Sequence, residues 1–190
     1  MTGRNCGVGM ITVLDVETTT TLNKKEKQSP SPFLPENRLV CVGFKAPGQQ
    51  GAVVWFGHNH KEATVGGFKE LQYVLDQTTL LVGHNIKFDL QWLLEAGFEY
   101  DGLVYDTMLV EYIMNRSRKT SLKLGHLAEK HDVSRKATDL TQEYLDRGVG
   151  FEEMPWEVVE EYNLQDLQTT EELAEHQLER LGVTWEDFYA

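Results

Sequence analysis

The chain has 190 residues, 41% hydrophobic and 25% charged, a balance typical of one soluble globular domain with a sizeable core. Its net charge of −12 excludes a protein that coats nucleic acid by bulk positive charge, but it leaves room for a small local nucleic-acid site. The two cysteines, Cys6 and Cys41, exclude a disulfide scaffold and a cysteine-based zinc site, and no membrane-length apolar run or signal peptide is visible; we therefore expect a cytoplasmic protein without membrane association.

The first part of the chain predicts strands. Residues 1–9 are small, polar and glycine-rich, and we interpret them as a flexible arm before a single domain over 10–190. Residues 10–16 (MITVLDV) are β-branched and apolar, which is typical of a strand buried on both faces. The polar segment 18–38 contains three prolines and predicts a long loop. Two further apolar runs predict a hairpin, over 39–44 and 52–56.

Helical patterns dominate the rest of the chain, with one short buried strand at 79–83. The helix at 86–96 has Asn85 as its expected N-cap and Gly97 at its end. A last turn is expected in the terminal WEDFYA. The other helices are predicted at 64–77, 106–114, 121–130, 139–146 and 156–181. This order predicts a three-layer α/β domain with a mixed central sheet flanked by helices.

Four carboxylates stand at positions where apolar side chains are expected. In the first strand, Asp15 and Glu17 alternate with apolar residues and so project from one face, at the carboxyl end where α/β sheets tend to bind ligands. Asp89 lies inside the apolar stripe of the helix at 86–96. Asp166 lies on the inward stripe of the long C-terminal helix, four residues after Tyr162 and about 6 Å further along the same face.

Each of these acids, taken alone, is open to a simpler interpretation as a solvated or capping residue. Taken together they are harder to explain, because an uncompensated buried carboxylate costs several kcal/mol and nearby like charges add to this cost. No basic residue stands at a matching inward position. A divalent cation would resolve the conflict, and a ligand set of oxygens alone selects a hard ion, Mg²⁺ or Mn²⁺.

Three segments resemble the motifs of the DnaQ-like 3′→5′ exonucleases. LDVETT at 14–19 resembles the first motif, HNIKFDL at 84–90 the second, and YNLQD at 162–166 the third in its tyrosine form, since Glu161 and Tyr162 stand where the two branches of the family differ. The resemblance covers roughly residues 10–182 and implies a ribonuclease H-like fold.

Other segments are similar to the proofreading exonuclease region of family A DNA polymerases, including phage polymerases: YDTMLVEYIM at 105–114, SLKLGHLAEKH at 121–131 and the early loop with SPSPFLPENRLV. No polymerase domain follows, so we expect a stand-alone exonuclease, acting alone or as the separate proofreading subunit of a split polymerase. If the protein is phage-encoded, its location is the host cytoplasm.

The resemblance implies the chemistry. Two Mg²⁺ or Mn²⁺ ions would be held by Asp15, Glu17, Asp89 and Asp166 and would support an in-line displacement at phosphorus. Tyr162 would orient the attacking water, because a phenol with a pKa near 10 is a poor base at neutral pH. The expected substrate is the single-stranded or frayed 3′ end of DNA, since a terminal base must leave the stack before its phosphate can react.

Candidate substrate contacts follow from the same resemblance. Thr18 and Thr19 follow the first motif, where the backbone of the family approaches the terminal nucleotide. Asn85 caps its helix, contacts the substrate, or does both, with capping favoured; Phe88 is expected to pack or to contact a ligand. Asp106 is interpreted as an N-cap, and His84 as either packed or substrate-facing. Stacking candidates are Phe33, Phe88 and Trp92; cationic candidates are Arg116, Arg118, Lys119, Lys123, Lys24, Lys25 and Lys27.

Two alternatives remain from the sequence. One keeps the chemistry and changes the substrate, giving a 3′→5′ exoribonuclease that resembles the RNase D group. The other is a binding module that holds a DNA polymerase or another replication partner, with catalysis incidental. The polymerase-like segment at 105–114 favours DNA as the substrate.

Overall fold

The computed structural model describes residues 10–22, 28–116, 118–133 and 140–188. The predicted arm at 1–9 and the three lysines of the early loop, Lys24, Lys25 and Lys27, lie outside the described residues. Within the described part, no helix is both long and apolar enough to cross a bilayer.

A five-stranded mixed sheet forms the centre of the fold. Its strands are β1 (Met10–Thr18), β4 (Leu39–Lys45), β5 (Ala52–Trp55), β6 (Thr78–Gly83) and β7 (Leu103–Asp106). They are ordered β5-β4-β1-β6-β7, with β1 antiparallel to β4 and parallel to β6. The predicted hairpin is confirmed, because β4 and β5 pair antiparallel. The predicted buried first strand is therefore the central strand of the sheet.

Within the described residues, six helices cover the two faces of this sheet. They are α1 (Gly67–Gln77), α2 (Ile86–Glu95), α3 (Thr107–Met114), α4 (Leu124–His131), α5 (Leu140–Asp146) and α6 (Trp156–Leu181), followed by a 3₁₀ turn, Trp185–Phe188. All the predicted helices are present, with boundaries that differ by up to three residues. The last turn is present as the 3₁₀ segment.

The alternation of side chains along β1 divides the core into two layers. Leu14 and Val16 face α1 and α2, in a cluster that includes Leu71, Leu75, Ile86, Trp92 and Leu93. Val13 faces α6, in a cluster with Leu80, Val82, Leu167, Ala174 and Leu178. The N-terminal part of α6 continues this second layer through Val159, which packs with Cys41, Trp55 and Met154. The predicted three-layer α/β architecture is confirmed.

The structure differs from the predicted elements in two regions of the chain. The segment 18–38 is not wholly a loop: β1 extends to Thr18, and a two-stranded ribbon forms from β2 (Thr21–Leu22) and β3 (Gln28–Ser29). Its threonine run has the β-branched character that favours extended backbone. The strand β7 was not predicted, and α3 begins at Thr107 rather than 106. Four residues at a sheet edge are too few to show a strand period.

Candidate active site

Asp15 and Glu17 lie near the carboxyl end of the central strand, on the face that α6 covers. Glu17 is buried, while Asp15 is half-buried. Because β1 alternates, the neighbours Leu14 and Val16 point into the opposite layer and anchor the strand there. The burial that fixes the strand therefore also fixes the direction in which the two acids point.

Asp89 reaches the same strand from the other layer of the fold. It lies in the first turn of α2 and is buried, and its Oδ1 accepts a hydrogen bond of 3.0 Å from the backbone N–H of Val16, the residue between Asp15 and Glu17. Burial raises the pKa of Asp89 to about 7, although the Val16 N–H acts in the opposite direction. The acid within the apolar stripe of α2 is thus tied directly to the strand.

The surroundings of Asp15 are strongly unfavourable for a negative charge. Burial of the carboxyl group and the nearby charges of Glu17, Asp89 and Asp166 hold the pKa of Asp15 well above its usual value. Carboxylates from β1, α2 and α6, far apart in the chain, therefore act on one another electrostatically.

Tyr162 and Asp166 come from α6, one helical turn apart, with Asp166 buried and Tyr162 half-buried. Burial, the charge of Asp166 and a hydrogen bond to Asp166 raise the pKa of Tyr162 far above its ordinary value. The ring of Tyr162 also packs on Phe151, with ring centres 5.7 Å apart. At neutral pH this phenol keeps its proton, so it can donate a hydrogen bond but cannot act as a base.

The donor types at this site suit a hard divalent cation. Across the described ranges, no three carboxylate, imidazole or thiol side chains are spaced as one complete set of metal ligands. The four acids nevertheless offer only oxygen atoms, and three of them raise the proton affinity of the fourth. A bound cation would relieve that repulsion, so the residues fit Mg²⁺ or Mn²⁺ in chemistry and in charge.

The structure corrects the expected role of Asn85. It occupies the N-cap position of α2 with left-handed backbone (φ 62°), and its side chain makes no capping hydrogen bond. Its backbone N–H instead donates to Asp106 Oδ1 at 3.0 Å. Asparagine tolerates the left-handed backbone region. A capping residue needs extended backbone, so Asn85 in this conformation cannot cap the helix with its side chain. Asp106 is an N-cap as predicted, accepting from the backbone N–H groups of Met108 and Leu109.

The other predicted contacts differ in how much surface they offer to a ligand. Thr18 and Thr19 are buried, and the hydroxyl of Thr19 accepts the backbone N–H of Arg38 at 2.8 Å. Phe88 is half-buried against the α1–α2 core cluster. Both ring nitrogens of His84 are engaged, with Thr107 Oγ1 and with the carbonyl of Leu122, each at 2.8 Å. His84 is therefore a packed histidine.

The three stacking candidates differ in how much of their rings is exposed. Trp92 is buried, and its indole N–H donates to the carbonyl of Pro30 at 3.0 Å, so its ring belongs to the core. This bond anchors the segment 28–38 to α2, and Arg38 anchors the same segment to Thr19. Phe33 projects from the anchored segment with 68% of its surface exposed. Four predicted cationic residues are also exposed, namely Arg116, Arg118, Lys119 and Lys123.

Sequence reasoning missed one residue that touches the site. Asn163 is fully buried, and its Nδ2 donates to Asp15 Oδ2 at 2.8 Å. It lies inside the third motif, directly after Tyr162, and that position was the only signal available. Its neighbour Gly43 was also missed, although a glycine within an apolar strand indicates a close approach of another element.

Comparisons with known proteins agree with this fold. The sequence model of a 3′–5′ exonuclease family matches residues 29–179, which include Asp89, Tyr162 and Asp166 and begin after Asp15 and Glu17. No curated protein matches the chain.

Solved structures resemble the chain over most of its length. NrnC from Brucella melitensis with bound Mg²⁺ is 22% identical with a TM-score of 0.58, covering 95% of this chain and 79% of that one. NrnC bound to pGG is 20% identical (TM-score 0.55; 95% and 78% covered). The family B DNA polymerase from Pyrobaculum calidifontis is 18% identical with a TM-score of 0.61, over 90% of this chain and 25% of that chain. These likenesses place the chain in the ribonuclease H-like fold.

Proposed function

Because the chain belongs to the 3′–5′ exonuclease family, we propose that it removes 5′-mononucleotides from the 3′ end of single-stranded or mismatched DNA. The observation that supports a site for this reaction is the electrostatic coupling of Asp15 with Glu17, Asp89 and Asp166. A pocket of mutually repelling acids is costly for a fold that has no use for it. It suits a phosphodiester hydrolase that binds cations there.

Exonucleases of this family use divalent metal ions. In this chain Asp15, Glu17, Asp89 and Asp166 would hold two Mg²⁺ or Mn²⁺ ions, and the solved NrnC structure with bound Mg²⁺ supports that choice of ion. When bound, such ions supply Lewis acidity for in-line displacement at a phosphorus atom.

The residues around the four acids would orient the attacking water and hold the acids in place. Tyr162 keeps its proton, so its hydroxyl is a fixed donor beside Asp166, suited to orienting a water molecule toward phosphorus. Asp89 is held against β1 by the Val16 N–H, which keeps α2 in register with the strand that carries Asp15 and Glu17. The site thus combines a rigid frame with side chains that a cation can draw together.

The proposed substrate contacts are the residues that the motif resemblance implies. The side chain of Asn85 is exposed and does not cap its helix, which favours a contact with the substrate over the structural role. Thr18 and Thr19 would offer backbone groups to the terminal nucleotide, and Phe88 would contribute its exposed edge. The acidic protein as a whole holds nucleic acid weakly, which suits an enzyme that receives a frayed 3′ end from a DNA polymerase.

RNA is the second candidate substrate. It is favoured by one observation, the structural likeness to NrnC, which has been solved bound to pGG. The chemistry at phosphorus would be the same for either sugar, because metal-assisted displacement acts on the phosphodiester group that DNA and RNA share. The two candidates differ only in what the surrounding surface accepts.

One experiment tests polarity, metal need and sugar preference together. Matched DNA and RNA oligonucleotides, labelled at the 5′ or the 3′ end, are digested with Mg²⁺ or Mn²⁺ and with EDTA. We expect a 3′ label to be released at once as a mononucleotide, a 5′ label to shorten stepwise, DNA to be cut faster than RNA, and EDTA to stop both. Faster cutting of RNA would support the second candidate, and 5′→3′ polarity or activity in EDTA would contradict the proposed function.

A further inference from the structure

Asn163 joins α6 to the central strand at the candidate active site. It is fully buried, and its Nδ2 donates to Asp15 Oδ2 at 2.8 Å and to the Asp15 carbonyl at 3.3 Å. Both bonds of this amide group therefore end on one residue. The amide thus contacts a carboxyl group whose pKa is held well above its usual value by burial and by the nearby acids.

Gly43 provides the space that Asn163 occupies. It pairs with Asp15 across the β1–β4 ladder, and a Cβ atom at this position would lie 1.7 Å from Asn163 Oδ1 and 3.0 Å from a methyl group of Leu167. The helix α6 thus approaches β4 so closely that any side chain at residue 43 would have to displace the Asn163 amide. Without this gap, the amide of Asn163 could not reach the carboxylate of Asp15.

The oxygen atom of the same amide, Oδ1, destabilises the folded protein. Asn163 Oδ1 is buried and finds no hydrogen-bond partner within the described ranges. An apolar side chain at this position would avoid that cost, so packing alone does not explain an asparagine here. The feature that an apolar side chain would lose is the bond to Asp15.

We propose that Asn163 is a positioning residue that fixes the orientation of the Asp15 carboxylate, with Gly43 as the gap that admits it. Nδ2 holds Oδ2 in place, and this contact fixes the orientation of the whole carboxyl group. Without this bond, the Asp15 side chain loses a buried contact that restricts its rotation. This inference rests on the proposed function, because it assumes that the acids bind a divalent ion.

Calorimetric titration of Mn²⁺ into the full chain tests the inference without depending on activity. We expect Asn163→Ala to weaken Mn²⁺ binding about 10-fold or more, the loss typical of residues that orient metal ligands. Gly43→Ala should cause a similar loss, because its methyl group displaces the amide. The double variant should bind no more weakly than either single variant, since all three lose the same hydrogen bond.

The control is Thr169→Ala, which removes another buried hydrogen-bonding side chain of α6, one that bonds only to the backbone carbonyl of Gln165 at 2.9 Å. It should bind Mn²⁺ like the wild type. In the oligonucleotide assay, Asn163→Ala should lower kcat about 10-fold with KM changed less than about 2-fold, because the amide contacts Asp15 and not the substrate. If Asn163→Ala does not fold, Asn163→Val fills the space without a donor and is expected to show the same loss.

Wild-type Mn²⁺ binding in folded Asn163→Ala or Asn163→Val, or additive losses in the double variant, would overturn the role of Asn163 and leave the proposed function intact. A wild-type chain that neither binds Mn²⁺ nor cuts oligonucleotides would overturn the proposed function itself, and the inference with it.

Discussion

Two buried carboxylate sites in this molecule have opposite electrostatics. Glu111 of α3 is fully buried, and its Oε1 accepts hydrogen bonds from Asn115 at 2.6 Å, Lys130 at 2.7 Å and His131 at 3.0 Å. Burial alone would raise the pKa of Glu111, but these bonds outweigh it and lower the pKa to about 2. At Asp15 burial and neighbouring acids all act in one direction, and the pKa rises.

The two carboxylates differ in the charge of the groups that surround them. At Glu111 the protein supplies both cation and donors from α3 and α4, so the charge is fully compensated inside the fold. At Asp15 the neighbours contributed by β1, α2 and α6 are acids, and the amide of Asn163 is a neutral donor. The groups that act on Asp15 are acids, and under the proposed function a bound cation supplies the compensation.

The largest expected effect is loss of catalysis on removing an acid from the uncompensated site. Asp15→Ala or Asp166→Ala should lower the exonuclease rate by at least about 10³-fold, because each removes a ligand of the proposed ions. The midpoint of thermal unfolding without metal should not fall, since each change also removes a repelling charge. Rates on 5′-labelled oligonucleotides and unfolding curves in EDTA provide the two measurements; an active Asp15→Ala protein would refute the assignment.

The next largest effect is on the free energy of unfolding, which should depend on pH with opposite sign at the two carboxylate sites. The folded pKa of Asp89, about 7, lies above its ordinary 3.8, so the folded chain holds a proton that the unfolded chain has released. The resulting stability is present below about pH 4 and is lost as pH rises to 7, by an amount on the order of 4 kcal/mol. Urea unfolding in EDTA at several pH values should show this decline, and Asp89→Asn should remove it.

Glu111 gives the reverse dependence. Its folded pKa of about 2 lies below its ordinary 4.5, so its contribution is present above pH 4.5 and is lost as pH falls toward 2. Glu111→Gln should lower the free energy of unfolding by about 3 kcal/mol at pH 7, because Lys130 and His131 lose their charged partner. Urea unfolding measures this loss. The kcat of the folded variant should match the wild type, and a selective loss of activity would place Glu111 in the catalytic site instead.

The sequence predicts this contrast only in part. The strand at 10–16 and the inward position of Asp89 follow from local periodicity, which survives in the fold because both elements are buried. The strand β7 could not be predicted, since four residues pair with β6 only through tertiary context. The contact of Asn163 with Asp15 spans 148 residues of chain and depends on the gap at Gly43, so no local pattern reports it.

The smallest expected effect is on the affinity of the protein for single-stranded nucleic acid near the candidate active site. Phe33 is 68% exposed on a segment that is anchored through Arg38 to Thr19 of the first motif and through Pro30 to Trp92 of α2. Exposure on an anchored segment suits stacking on an unpaired base, worth about 1 kcal/mol at the low end of such contacts. Phe33→Ala should therefore raise the Kd of a single-stranded oligonucleotide about 5-fold, measured by fluorescence anisotropy in Ca²⁺.

The matched control for Phe33 is Tyr73 of α1, an aromatic residue that is 67% exposed but belongs to a helix without any of the proposed site residues. Tyr73→Ala should leave the Kd unchanged, because an exposed ring contributes to binding only where it contacts the bound oligonucleotide. Equal losses in the two variants would mean that the nucleic acid is held by diffuse contacts rather than at Phe33. A loss of affinity in Phe33→Ala alone would show that the nucleic acid contacts the segment that follows β1, in addition to the acids of β1.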